Sequence, residues 1–168
     1  MRLRLALAAA LLGLPLGACG LQPMYAGGGD STVARGLSDI QVSAIEGRAG
    51  WLVRNALNDR LQQGGQTTRY RLDVRLDDQL DAFGLLRDDT VARERRTLRA
   101  RYQLVDQSTD TIVLDASTQA DAGIDVVSSD YATIAAEQTA LENLAKDVAD
   151  RIVTSVALQL RKGAAARP

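Results

Sequence analysis

Between residues 69 and 104 polar and apolar side chains alternate with a period of two. Tyr70, Leu72, Val74 and Leu76 are interleaved with Arg69, Arg71, Asp73 and Arg75, the spacing of a half-buried strand. Leu80, Ala82 and Leu86 keep the same parity, which extends the strand to about 16 residues. After a turn signal at Arg87-Asp88-Asp89-Thr90 the alternation resumes, with Leu98, Ala100, Tyr102 and Leu104 on one face and Arg93, Arg95, Arg99 and Arg101 on the other. Antiparallel pairing that matches the two apolar faces sets even residues against even ones, which a two-residue loop cannot do. The pattern therefore predicts a three- or five-residue loop or a bulge near 87–91. Gln107-Ser108-Thr109-Asp110 marks the next turn. Thr111 to Ala116 then reads as a third meander strand with Ile112 and Leu114 inside, and 121–129 as loop plus a short extension.

Elsewhere the period lengthens. Ile40 and Val42, with Ala44 or Ile45 closing, form a short first strand. From Trp51 to Gln63 the positions Leu52, Val53, Ala56, Leu57, Arg60 and Leu61 share one helical face, stopped at Gly64-Gly65. Trp51 is assigned to the core. From Asp130 to Lys162 a second helix carries Ile134, Leu141, Ala145, Val148, Ile152 and Val156 against the sheet, with Ser129 or Asp130 as N-cap and Gly163 as stop. At 1.5 Å per residue it is about 45 Å long, enough to overhang a small sheet. The order β-α-β-β-β-α predicts an α+β two-layer sandwich: a four-stranded, mostly antiparallel sheet with both helices on one face and a polar opposite face.

The N-terminus follows a different logic. Arg2 and Arg4 precede an apolar run from Leu5 to Leu16, too short to span a bilayer and typical of a secretory signal. Leu16-Gly17-Ala18-Cys19 matches the bacterial lipobox, and Cys19 is the single cysteine of the 168 residues. Residues 1–18 are thus expected to be a signal peptide. Cys19 would carry covalent N-acyl and diacylglycerol lipid and no other cofactor, and 19–36 would be a flexible tether whose start, Leu21 to Tyr25, is apolar enough to dock locally. A single domain at 37–162 and a disordered tail at 163–168 complete the division. Gly20, in place of Asp, leaves the outer membrane, on its periplasmic side, as the destination.

Composition narrows the chemistry. The chain has no histidine, which removes the usual zinc sites and Ser-His or Cys-His pairs. With 20 basic and 21 acidic side chains there is no field to draw in nucleic acid. Asp88-Asp89 reads as a solvated turn, not a metal site. No enzyme chemistry is indicated.

Several blocks in order resemble the LPS-assembly lipoprotein (LptE) family: Cys19-Gly20-Leu21-Gln22-Pro23-Met24-Tyr25, Trp51 to Leu57 followed by Asp59-Arg60-Leu61, Tyr70-Arg71-Leu72, Arg99 to Asp106, and Ser129-Asp130-Tyr131-Ala132. Leu21 and Met24 stand where the family more often has an aromatic residue and leucine. The resemblance implies the same sandwich and a non-enzymatic subunit that plugs and helps assemble the outer-membrane barrel LptD and aids lipopolysaccharide delivery. An auxiliary lipoprotein of a periplasmic lipid or ABC transport system is the alternative.

Two candidate contact surfaces emerge from the pattern. Arg93, Arg95, Arg99 and Arg101, joined across the strand pair by Arg69, Arg71 and Arg75, form a basic stripe. Guanidinium forks suit the phosphates of lipid A, and pairing with Asp73, Asp77 and Asp81 as a solvated ladder is the competing reading. At the hairpin tip Phe83 and Leu85 lie on the polar parity while Leu80, Ala82 and Leu86 lie on the core parity. The tip therefore needs a second cover, from the domain itself or from a partner.

Overall fold

In the computed structural model, which describes residues 32–61, 68–85 and 91–165, the two period-two stretches become strands β2 (Tyr70–Leu85) and β3 (Val91–Asp106) of 16 residues each. They pair antiparallel, with Leu72 opposite Leu104 and Leu85 opposite Val91. Even residues oppose even residues, as burial of a common apolar face requires. The connection at 86–90, with Asp88-Asp89, lies outside the described residues. β4 (Thr111–Asp125) continues the meander beyond β3, and β1 (Ile40–Val42) joins the free side of β2 in parallel. The sheet order is β1-β2-β3-β4. Three helices accompany it among the described residues: α1 (Thr32–Ser38), α2 (Gly47–Leu61) and α3 (Asp130–Ala165). The α+β sandwich is the expected one, with a helix added before β1.

Four local expectations are corrected. Thr32–Ser38 is helical where the sequence predicts the end of a tether at 36, and α3 runs on through Gly163 to Ala165. Cys19, the apolar start at Leu21–Tyr25 and the rest of 1–31 lie outside the described residues, as do 166–168. β4 extends to Asp125, well past Ala116, because β3 offers it a partner along nearly its whole length. Its core-facing positions, Ala116, Thr118, Ala120, Ala122 and Ile124, are mostly too small for the alternation to stand out. Ile112 is outside, 56% exposed. A register shift at Leu104/Val105 sets Leu104 against Leu114 and Val105 against Ile112, so Val113 is the extra residue. That bulge reverses the parity of everything before it.

The core lies between one sheet face and the helices. From the sheet come Leu72, Leu98, Ala100 and Leu104; from α2, Val53, Leu57 and Leu61; from α3, Leu144, Val148, Ile152 and Val156. Each large side chain so buried contributes about 1.5–3 kcal/mol relative to exposure. α3 approaches closely because Ala145, Ala149 and Ala157 on it, and Ala120 on β4, are buried as well. Its N-terminus is capped by Ser129, whose Oγ accepts the Ala132 N–H at 3.4 Å. Arg60 of α2 ties to Asp150 of α3, with Nη2 donating to Oδ2 at 2.9 Å.

Two residues assigned to the core are not in it. α2 begins a turn earlier than Trp51, at Gly47, and its buried side is Gly50, Val53, Ala56, Leu57 and Leu61. Trp51, about 100° round from Gly50, is 63% exposed. Gly50 faces the chain instead: a Cβ there would lie 2.5 Å from the Ile45 carbonyl oxygen. Ile134 is 51% exposed because the apolar core ends before the strands do. At the rung Leu80 opposite Arg96, Arg96 turns inward, donates to Asp78 at 2.7 Å and to the Glu137 carbonyl of α3 at 3.2 Å, and closes the core.

Candidate functional site

The sheet face away from the helices is built by odd-numbered residues of β2, β3 and β4. It carries Arg71, Arg75, Arg93, Arg95, Arg99 and Arg101 together with Asp73, Asp77, Asp81, Asp115, Asp121 and Asp125. Charge is balanced over the face but segregated by strand, with four arginines on β3 and acids on either side. The structure brings all the predicted arginines except Arg69 onto this surface and forms the expected ladder only in part. Arg93 pairs with Asp125 at 2.9 Å and Arg101 with Asp115 at 3.0 Å, both acids belonging to β4. Arg71 pairs with Asp73 of its own strand at 3.0 Å. The Arg101–Asp115 bond raises the guanidinium above its ordinary pKa and lowers the carboxyl, which also accepts from Gln103.

Asp77 and Asp81 stand opposite Arg99 and Arg95 in register, yet no hydrogen bond joins either pair. Asp77 accepts from the Gln79 amide at 3.1 Å. Arg99 donates to Gln119 Oε1 at 3.2 Å and 3.3 Å, and Arg95 lies 5.2 Å over the Phe83 ring. Arg75 has no side-chain partner among the described residues and stands directly opposite Arg101, a like-charge arrangement that is unfavourable by itself. Arg99 is the diagonal neighbour of Arg75, about 7–8 Å away at the backbone. Arg75 and Arg99 thus present, on neighbouring strands, guanidinium donors that no carboxylate among the described residues occupies.

At the hairpin tip Phe83 is 40% and Leu80 43% exposed, and beside them Val127, Tyr131 and Ile134 are 48%, 84% and 51% exposed. The first turns of α3 leave the tip open among the described residues. Leu85 pairs with Val91 through its backbone; its side chain lies outside what is described.

Sequence reasoning missed a cavity of about 380 Å³ at the opposite pole, lined by Arg35, Asp39, Tyr70, Val113 and Leu160 among others. Arg69 and Asp106 span its wall at 2.9 Å. Asp106, 5% exposed, is held below the ordinary carboxylate pKa first by the Ser108 hydroxyl and then by Arg69 and the Ser108 N–H. Asp106-Gln107-Ser108 is the side-chain-to-backbone turn spacing that could have located it. Arg69, placed with the stripe by parity, is diverted here because it precedes the strand. A second groove, of about 670 Å³, runs along β2 where β1 leaves it, lined by Ser43, Ile45, Val74, Arg75, Leu76 and Arg101 among others. Among the described residues no cluster of three or more acids, histidines or cysteines could hold a metal ion. No helix among them is long and apolar enough to cross a membrane.

The family model described as lipopolysaccharide-assembly, LptE, matches residues 37–156. Among solved structures, a candidate lipoprotein of Caulobacter crescentus is 30% identical, with a TM-score of 0.67 over 79% of this chain and 98% of that one. Lipoprotein B of Nitrosomonas europaea superposes with a TM-score of 0.54 at 13% identity, over 71% of this chain and 86% of that one. A minor lipoprotein of Acinetobacter baumannii does so with 0.52 at 12%, over 71% and 91%. These last two share the fold. No curated protein sequence matches the chain.

Proposed function

The chain belongs to the LptE lipopolysaccharide-assembly family, and from that premise we propose that it is an outer-membrane lipoprotein, acylated at Cys19, that assists assembly of the β-barrel LptD, plugs it, and helps pass lipopolysaccharide to the outer leaflet. Membership carries the coarser statement directly: this is a lipoprotein of lipopolysaccharide assembly, from a non-enzymatic family associated with the outer membrane. The observation that supports the finer reading is the pair Arg75 and Arg99. Both project from a rigid sheet face, no carboxylate among the described residues engages them, and lipid A offers phosphates that such donors grip well. The strands fix the spacing of the two residues at the backbone, and Gln119 holds the Arg99 guanidinium.

The test is purification of the full-length lipoprotein from outer membranes in mild detergent. Recovery of a large heat-modifiable barrel supports the assignment. Recovery of an inner-membrane transport complex in its place would overturn it in favour of the transporter-auxiliary reading. Intact mass of the mature chain reports acylation at Cys19, which an unmodified Cys19 terminus or cleavage elsewhere would contradict.

A further inference from the structure

We propose that the open edge of β2, from Val74 to Ala82, is a strand-addition site for an extended segment of the barrel polypeptide, apolar on the face turned to the helices and basic on the other. The inference rests on the barrel-partner reading and adds to it where and how the partner attaches.

β1 covers only the first rungs of β2. The Tyr70 N–H donates to the Asp39 carbonyl at 3.1 Å, and the Leu72 carbonyl accepts the Ser43 N–H at 3.0 Å. After Ser43 the chain leaves toward α2. Even-numbered residues of β2 point their backbone groups to this edge, so Val74, Leu76, Asp78, Leu80 and Ala82 continue the same row of donors and acceptors. Among the described residues nothing bonds to them. The 670 Å³ groove lies where the row begins, with Ser43, Val74 and Leu76 in its wall.

The other edge of the sheet is treated differently. On β4, α3 reaches over and caps outward carbonyls: Arg151 donates to Gln119, and Gln159 donates to Val113 at 2.8 Å. Such capping hinders pairing with another chain. Among the described residues one edge is guarded and the other is not, and the unguarded one adjoins the exposed Leu80 and Phe83.

Side chains along the edge select the occupant. Toward the helices, Leu76, Leu80 and Ala82 are incompletely covered, and an added strand with apolar residues at alternate positions would cover them. On the face away from the helices the charges from Val74 to Ala82 are Arg75 against Asp77 and Asp81, while Asp78 faces the helices and is held by Arg96. A second copy of this edge would add its own Asp77 and Asp81 to that face and leave it net acidic, which a basic strand would not. A basic strand is complementary to it. Backbone bonding would supply the attachment and the alternate side chains the selectivity.

Proline at an even position removes an outward N–H and leaves the bonds to β3 in place. Leu80→Pro and Ala82→Pro should each lower recovery of the LptD barrel with full-length lipoprotein at least tenfold, while Ser117→Pro on the guarded β4 edge leaves it unchanged. Equal recovery with folded edge variants would overturn the edge site and leave the barrel reading standing. Failure of the wild type to recover the barrel would overturn both. A wild-type dimer in sedimentation that either edge proline abolishes would assign the edge to a second copy and overturn the proposal. Should the prolines unfold the chain, amide exchange of the wild type decides. Amides of residues 74, 76, 78, 80 and 82 should be fast in the free lipoprotein and at least tenfold slower in the barrel complex; unchanged rates in the complex would overturn the site.

Discussion

Substituting Arg75→Gln and Arg99→Gln together should weaken lipopolysaccharide binding without weakening the fold. Neither guanidinium is held by a carboxylate, so neither change strips a partner from an ion pair. Exposed charge pairs contribute about 0.5–1 kcal/mol each. Loss of two phosphate contacts therefore removes about 1–2 kcal/mol, a roughly 5–30-fold loss of affinity. Stability should move the other way. Arg75 opposes Arg101 in register, and relief of a like-charge pair is worth a few tenths of a kcal/mol, about 1 °C in Tm for a chain of this size. Arg93→Gln is the comparison, because Asp125 already engages Arg93 at 2.9 Å; it should change affinity less than about twofold. The assay is titration of full-length protein in detergent with labelled lipopolysaccharide and with its dephosphorylated form, beside a thermal melt. Unchanged affinity in the folded double variant refutes the phosphate site, as does an equal loss for the dephosphorylated ligand.

Gly50→Ala should destabilise by about 1–3 kcal/mol, since its new Cβ meets the Ile45 backbone oxygen at 2.5 Å; a melt unchanged within 1 °C would contradict that contact. Leu98→Ala, at a fully buried position, should cost about 2–5 kcal/mol in urea unfolding with the slope unchanged, and a loss under about 1 kcal/mol would mean that the core is not packed as described. Trp51→Ala should shift stability by no more than about 0.5 kcal/mol, where assignment to the core would require several. Asp106 has a folded pKa below its ordinary 3.8, so its contribution is complete above the unfolded value and is lost as pH falls through the folded one. The Tm deficit of Asp106→Asn should accordingly hold from about pH 8 to about pH 5 and shrink below about pH 4; a deficit constant to about pH 2 would be inconsistent with that linkage.

Alternation carried the fold wherever large side chains marked it. Leu72, Val74, Leu98 and Leu104 are buried where their parity put them, and the even-against-even register followed from those faces alone. Legibility failed where the signal was small or shared. Alanines on β4 fit beneath α3 but hardly register as apolar, so half the strand went unread. One extra residue at Val113 inverted Ile112, which no period can anticipate. Trp51 is large and apolar, yet the start of α2 set its angular position. For the surface, the sequence identified the arginines and left their partners open. Which of them pair is decided by rung positions: β4 supplies Asp115 and Asp125 to Arg101 and Arg93, whereas Asp77 and Asp81, the acids nearest in the pattern, bond to no arginine among the described residues.

The placement of α1 has a consequence for reach. A Cβ on Gly36 would lie 3.1 Å from the Leu160 side chain, so the chain enters the domain beside the C-terminal end of α3 and the first rung of β2, Tyr70 opposite Ile40. The hairpin tip is at the far end of a 16-residue strand, about 50 Å away. Contacts made at the entry and contacts made at the tip are therefore held apart by the length of the strand pair. Deleting two residues from each of β2, β3 and β4 at matched rungs would preserve parity and register while bringing the tip nearer by about 7 Å, and any task that depends on that spacing should fail in a protein that still folds.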